Sequence, residues 1–149
     1  MANTTTTGQS SEDIAAQQRA AEERARRRAA IQSQIQQWNK KLTTVNSQIT
    51  SLTTEQSNLN TYLGDWDTQK SIYNGSEILS EVVIVNVFEG VCADQIKADF
   101  SASITEMDQT YNEVSGLNGN VGAQISRLNQ YVSVINTKLT SLRNELSSI

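Results

Sequence analysis

The chain has 149 residues, of which 37% are hydrophobic, and a formal net charge of −4 at pH 7. This length fits one domain of about 100 to 200 residues, and the apolar fraction lies below the roughly 45 to 50% usual for globular domains, which disfavours a thick multilayer core. The acidic balance disfavours nucleic-acid binding, because phosphate attraction requires a basic surface.

Three scarce residue types restrict the chemistry further. Histidine is absent and Cys92 is the single cysteine. The commonest general base is therefore missing, and neither an intramolecular disulfide nor a cysteine-based metal cluster can form. We therefore expect no enzymatic activity, no metal and no cofactor. Proline is also absent, which allows helices to run long.

Residues 1–10 form a Thr-rich polar tail that we predict to be disordered, because it offers nothing to bury. Its composition is not that of a secretory signal peptide. The longest apolar run, "VVIVNVF", is much shorter than the roughly 20 residues of a membrane helix. We expect a protein that does not span the membrane and is cytoplasmic when synthesised.

A first helix is predicted over about residues 11–73. Ser10 or Ser11 can cap its first N–H groups, and the strong helix formers of "IAAQQRAAEERARRRAA" follow. This part carries a cluster of arginines that is either a solvated face or a contact for an acidic partner: Arg24, Arg26, Arg27 and Arg28.

From residue 31 the first helix acquires the heptad pattern of a coiled coil, with apolar residues spaced alternately by four and three. One polar residue interrupts this seam. The seam consists of Ile31, Ile35, Trp38, Leu42, Val45, Ile49, Leu52, Gln56, Leu59, Leu63 and Trp66.

A second helix is predicted over about residues 91–149, and its seam has the same spacing. Gly116, Gly119 and Gly122 favour a kink or a short break, whereas the uninterrupted register favours one continuous helix. The seam consists of Phe100, Ile104, Met107, Tyr111, Val114, Asn118, Val121, Ile125, Leu128, Val132, Ile135, Leu139, Leu142, Leu146 and Ile149.

Residues 74–90 are predicted to connect the two helices. The β-branched run before Phe88 is compatible with a short helix or an extended cap at the hairpin tip, and Gly90 permits a positive φ or a close backbone approach. The predicted fold is therefore all-α: residues 11–149 form a single domain, a long antiparallel two-helix hairpin with an aromatic-X-Gly turn.

Partner-binding residues follow from the expected register. A tip near Val82 places residue i opposite residue 164 − i, so the last heptads of helix two face the Arg- and Ala-rich start of helix one. We therefore expect another chain to cover Leu139, Leu142, Leu146 and Ile149. Trp38 and Trp66 fit a core by spacing, but aromatic anchors are enriched at interfaces, so both are also partner-binding candidates.

The "FEG" turn between two antiparallel helices resembles the WXG superfamily exported by type VII secretion systems. More closely, "FEGVCADQI", the downstream "LNGNVGAQISRLNQYVSVINTKLTSL" and the heptad-rich first helix are similar to the YwqH-like family found beside LXG toxin genes of Gram-positive bacteria. The likeness covers about residues 31–149. Phe88 stands where the superfamily turn has tryptophan, and no Tyr-x-x-x-Asp/Glu export signal follows the second helix.

The resemblance implies an adaptor that binds the N-terminal helical LXG domain of a toxin and targets it to the membrane secretion machinery. A second small WXG-like protein is a further candidate partner, and co-export of the adaptor stays open. Phe88 and Gly90 would form the recognition turn. The alternative is a structural coiled-coil spacer or tether, for which the heptads alone suffice.

Overall fold

The computed structural model describes residues 11–74 and 91–149, and this part of the chain contains two helices and no strand. Helix α1 spans Ser11–Asn74 and helix α2 spans Val91–Ser147. The two helices pack against each other, which confirms the predicted all-α fold and its hairpin character. The predicted tail, the connector and the Phe88–Gly90 turn lie outside the described residues.

Many hydroxyl groups of both helices form hydrogen bonds within their own helix. Glu12 and Asp13 lie in the first turn of α1, where carboxylates complement the helix dipole. Exposed threonines return their hydroxyls to the carbonyl four residues earlier, as Thr53 does to Ile49 at 2.8 Å. At the end of α2, the Ser148 hydroxyl donates to the Glu145 carbonyl at 2.8 Å. A Ser- and Thr-rich sequence thus forms continuous helices in which hydroxyl groups bond to carbonyl oxygens of the same helix.

The predicted seams match the observed burial closely. Every seam position from Ile31 to Trp66 and from Phe100 to Ile149 is buried or partly buried. Among the residues whose burial is described, five others also escape full exposure: Ala15, Lys70, Asp108, Gly122 and Glu145. The coiled-coil interpretation of the spacing is therefore confirmed.

The chain divides into two compact units, each containing part of both helices. The terminal unit comprises Met1–Asn46 and Gln130–Ile149, and the central unit comprises Ser47–Asn129. Among the residues whose burial is described, the buried hydrophobic ones belong to the terminal unit: Ile31, Val45, Ile135, Leu139 and Leu142. In the described part of the central unit, the seam residues are only partly buried. The fully buried apolar core is thus concentrated in the terminal unit.

The register of the central unit follows from contacts between side chains across the seam. Asn118 donates to Asn60 at 2.7 Å, and Tyr111 donates to Asp67 at 3.2 Å. The residue numbers in both pairs add to 178. As the residue number increases along α1, the number of its partner on α2 decreases, so the helices are antiparallel. The predicted sum of 164 is wrong by 14 residues in this unit, which is two heptads.

In the terminal unit, the ion pair between Arg27 and Glu145, at 2.9 Å, likewise contradicts a sum of 164. The two numbers add to 172. The physical reason is apolar burial, because the shift moves the last heptads of α2 toward the seam that begins at Ile31. Leu139 and Leu142 are each 2% exposed. Both leucines are therefore covered within the single chain, and the binding of another chain at these residues stays a prediction.

Helix α2 continues without a break through its three central glycines. Gly116 and Gly119 have open space where a Cβ atom would lie. Gly122 differs, because a Cβ atom there would lie 2.8 Å from Nε2 of Gln56, the polar residue of the α1 seam. The glycine at 122 makes room for a polar side chain within the seam.

Candidate partner-binding groove

A groove of about 560 Å³ opens along the seam of the central unit. Its walls are mainly apolar, because the heptad spacing places the large side chains of both helices on facing stripes. Helix α1 contributes Leu59, Tyr62, Leu63, Asp65, Trp66 and Gln69, and helix α2 contributes Met107, Tyr111 and Val114.

The two edges of this seam differ. Asn60 and Asp67 each follow a seam residue of α1 and therefore lie on one edge, where they bond to Asn118 and Tyr111. Lys70 also forms an ion pair with Asp108 across the helices. Polar contacts thus bridge the first edge.

The second edge is open. Tyr62 precedes the seam residue Leu63, and Gln69 precedes Lys70, which continues the seam spacing four residues after Trp66. This places Tyr62 and Gln69 on the edge opposite Asn60 and Asp67. Both residues line the groove, and Tyr62 is 68% exposed. An exposed aromatic side chain beside an apolar groove is typical of interaction surfaces.

Trp66 lies in the groove with an incomplete set of partners. The residue is partly buried, but its Nε1 atom is buried and has no hydrogen-bond acceptor among the described residues. Buried indole N–H groups usually have one. Asn118 also has a buried Oδ1 atom without a donor. Two uncompensated polar atoms therefore belong to the seam of this unit.

Tyr111 connects the groove to the bridged edge. Its hydroxyl donates to the carboxylate of Asp67, and this bond, with the negative charge of Asp67, raises the pKa of Tyr111 above its ordinary 10.0. Partial burial adds to the increase, whereas nearby Lys70 opposes it. Tyr111 thus both lines the groove and bonds to the bridged edge.

No family model, curated protein or solved structure matches the chain. The functional assignment of the groove therefore depends on its own geometry and chemistry. Among residues 11–74 and 91–149, no group of three His, Cys, Asp or Glu side chains is placed to hold a metal ion. Neither of the described helices has a stretch apolar enough to cross a bilayer.

The other predicted partner-binding residues lie in the terminal unit. Trp38 is partly buried in the seam, and the Lys41 ammonium lies 4.4 Å from its ring centroid. Leu146 and Ile149 are partly buried. Ile149 borders two shallow surface depressions, one lined by Ala20 and one by Ala25, so a small apolar surface remains at this end of α2.

The predicted arginine cluster is exposed, but its members are not equivalent. Arg27 pairs with Glu145, and the two side chains are 61% and 41% exposed. Arg24 donates to the Ala20 carbonyl at 3.3 Å. Arg24 and Arg28 both line the depression beside Ile149. An acidic partner at this depression would meet both arginines at once.

The sequence predicts Trp66 as a partner-binding candidate but does not predict the groove around it. Tyr62, Gln69 and Asp65 lie off the heptad seam, so apolar periodicity gave no reason to select them. An aromatic residue at the position directly before a seam residue, on a chain with few aromatics, was the available signal. The register also had to be known before Met107 and Val114 could be placed opposite Trp66.

Proposed function

We propose that this chain is a non-enzymatic adaptor that binds the N-terminal helical LXG domain of a toxin and promotes its export by a type VII secretion system. The adaptor is synthesised in the cytoplasm and directs the toxin to the membrane secretion machinery. A second small WXG-like helical protein is a further candidate member of the complex. The hairpin fold and the sequence likeness around Phe88–Gly90 support this proposal.

The observation that carries the proposal is the incomplete burial of the central seam. Its residues are spaced for a coiled coil, yet none of those described is fully buried, and the groove at Trp66 remains open. A helical partner would cover apolar side chains at about 25 cal/mol per Å² of buried surface before association costs. A partly exposed apolar surface of this kind fits an adaptor that binds a helical domain.

Co-expression with the LXG domain of a toxin, where the neighbouring genes encode one, tests the binding step. We expect the two chains to co-purify as an all-helical complex, detected by size-exclusion chromatography with light scattering and by circular dichroism. The catalytic domain of the same toxin, expressed without its LXG region, is the matched control and should not co-purify. Absence of a complex with the LXG domain would reject the adaptor role.

Phe88→Ala and Gly90→Ala test the targeting step. Because the seams lie away from residues 88–90 in sequence, both variants should still bind the toxin. If the turn is recognised by the secretion machinery, the toxin should accumulate in cells and decrease in the culture medium. Ile72→Ala, at an exposed α1 position, is the control and should secrete normally. Normal secretion by both turn variants would make Phe88 and Gly90 turn residues only.

A structural spacer or tether is the alternative, because the continuous heptad seams would suffice for it. The neighbouring genes distinguish the two functions. A polymorphic toxin with a helical N-terminal region favours the adaptor, whereas capsid, tail or cytoskeletal genes favour the spacer.

A further inference from the structure

We propose that the open edge of the central seam binds a third helix, an amphipathic partner segment with an apolar stripe and flanking Lys or Arg residues. The proposal rests on the adaptor function above and identifies where and how the partner binds. The groove extends from Leu59 to Gln69 on α1. At 1.5 Å per residue this is about 15 Å, or about three helical turns.

The choice of a helix follows from the spacing of the groove residues. Leu59, Leu63 and Trp66 recur at four and three residues, and Met107, Tyr111 and Val114 do so on the facing helix. Two adjacent stripes with this spacing of four and three, one on each helix, form the holes into which a third helix inserts its own side chains. An extended peptide, whose side chains repeat every two residues, would not match them.

Charge favours a basic partner. The central unit contains eleven Asp and Glu against three Lys and Arg, a net charge of −8, whereas the terminal unit contains five against nine, a net charge of +4. Asp65 lines the groove and has no ion-pair partner among the described residues. A Lys or Arg beside the apolar stripe of the partner would be attracted by the net charge of this unit and placed near Asp65.

Trp66 contributes an apolar contact. It lines the groove, and its Nε1–H is buried with no acceptor among the described residues, so a bound helix meets the ring carbons and not the N–H. A Leu or Ile side chain of the partner would pack against that ring. The partner that fits the groove therefore has Leu- or Ile-type residues at heptad spacing and a basic flank.

Trp66 fluorescence provides the test. In a Trp38→Phe background Trp66 is the only tryptophan of the chain. The probe is a 21-residue helical peptide, with a length of about three heptads, that has Leu at the seam positions, Lys at the positions flanking them and Ala elsewhere. We expect saturable binding with a blue shift of Trp66 emission. The same peptide with Glu in place of Lys should not shift it. No shift with the Lys peptide would overturn the proposal.

Two variants locate the binding. Tyr62→Lys should weaken binding of the Lys peptide at least tenfold, and because Tyr62 is 68% exposed, the fold should survive. Asp65→Asn should weaken it severalfold. Ile72→Lys is the matched control, 61% exposed and outside the groove lining. Tyr62→Lys and Ile72→Lys add the same charge, so equal loss in both variants would reject the groove as the binding site.

Two further outcomes separate this proposal from its alternatives. A chain that dimerises alone in sedimentation velocity, and becomes monomeric with Tyr62→Lys, would make a second copy the occupant and overturn the proposal. A toxin complex that is insensitive to Tyr62→Lys would reject the groove and leave the adaptor function intact. Peptide binding as expected, without any toxin complex, would reject the adaptor function and retain the groove.

Discussion

Gly122 shows how a single missing side chain accommodates a polar residue in an apolar seam. Gln56 occupies a seam position of α1, and its Nε2 atom lies 2.8 Å from the position that a Cβ atom on residue 122 would take. Glycine normally weakens a helix interior by about 1 kcal/mol relative to alanine. At residue 122 the missing side chain leaves space for Gln56. At Gly116 no neighbouring side chain uses the space.

Alanine substitution should therefore separate two glycines of the same helix. Gly116→Ala should increase the free energy of unfolding by about 1 kcal/mol, because its Cβ atom meets open space. Gly122→Ala should increase the free energy of unfolding by a smaller amount, because the Gln56 side chain has to move. Urea unfolding followed by circular dichroism measures both, with Gly119→Ala as a second open-space control. Equal gains at residues 116 and 122 would show that the contact with Gln56 has no energetic effect.

The bond between Tyr111 and Asp67 predicts a dependence of stability on alkaline pH. A tyrosine whose folded pKa is raised contributes stability that is present below its ordinary pKa of 10.0 and is lost as the pH rises through the folded value. The melting temperature of the native chain should therefore fall more steeply above pH 10 than that of Tyr111→Phe. Tyr62→Phe should follow the native chain. Parallel curves for native and Tyr111→Phe proteins would exclude this linkage.

At the level of the helices, burial is distributed unevenly along one continuous pattern. The seams of α1 and α2 have uniform spacing, yet the fully buried aliphatic side chains lie in the terminal unit. In the central unit the seam includes Gln56, Asn118 and large aromatics, and the polar contacts lie along one edge. The same heptad period thus produces a closed core in one unit and an accessible groove in the other.

Truncation of one leucine in each unit should reveal this difference. Leu139→Ala should destabilise the protein by about 2 to 5 kcal/mol, because the side chain is 2% exposed and leaves a cavity. Leu63→Ala should cost roughly 1 to 2 kcal/mol, because Leu63 is only partly buried and borders the groove. Urea unfolding measures both variants. A larger loss at Leu63 would contradict the assignment of the core to the terminal unit.

At the level of the whole molecule, the register determines which residues are available for binding. With a sum of 164, the last leucines of α2 would have faced arginines and alanines and required a partner. With the observed pairings, Leu139 and Leu142 complete the internal core. The interaction surface that we propose is the open edge of the central seam, and Leu146 and Ile149 are partly accessible at the end of α2.

Disulfide trapping tests the register directly. In a Cys92→Ser background, Asn60→Cys with Asn118→Cys should form an intramolecular disulfide under mild oxidation, because the native side chains are in contact at 2.7 Å. Asn60→Cys with Ile104→Cys corresponds to the sum of 164 and is the matched control. Mass spectrometry of the oxidised monomer distinguishes the two. Preferential trapping of the 60–104 pair would contradict the observed register.

Local chemistry allowed much of this protein to be predicted from its residues. The absence of proline, the strong helix formers after Ser11 and the alternation of four and three along both seams are properties of neighbouring positions, and these predicted the helical fold and the buried stripe. Trp66 was selected as a partner-binding candidate because it is an aromatic residue on an otherwise mainly aliphatic stripe. Its neighbours Tyr62 and Asp65 were missed because they lie off that stripe.

Periodicity by itself determined which face of each helix is buried, because side-chain direction repeats along a single helix. It did not determine the alignment of one helix with the other, since a shift of two heptads still places seam residues opposite seam residues along most of both helices. That choice depends on contacts between distant residues, here Asn60 with Asn118 and Asp67 with Tyr111. Only the tertiary structure therefore decided that Leu139 is internal and that the seam at Trp66 is open.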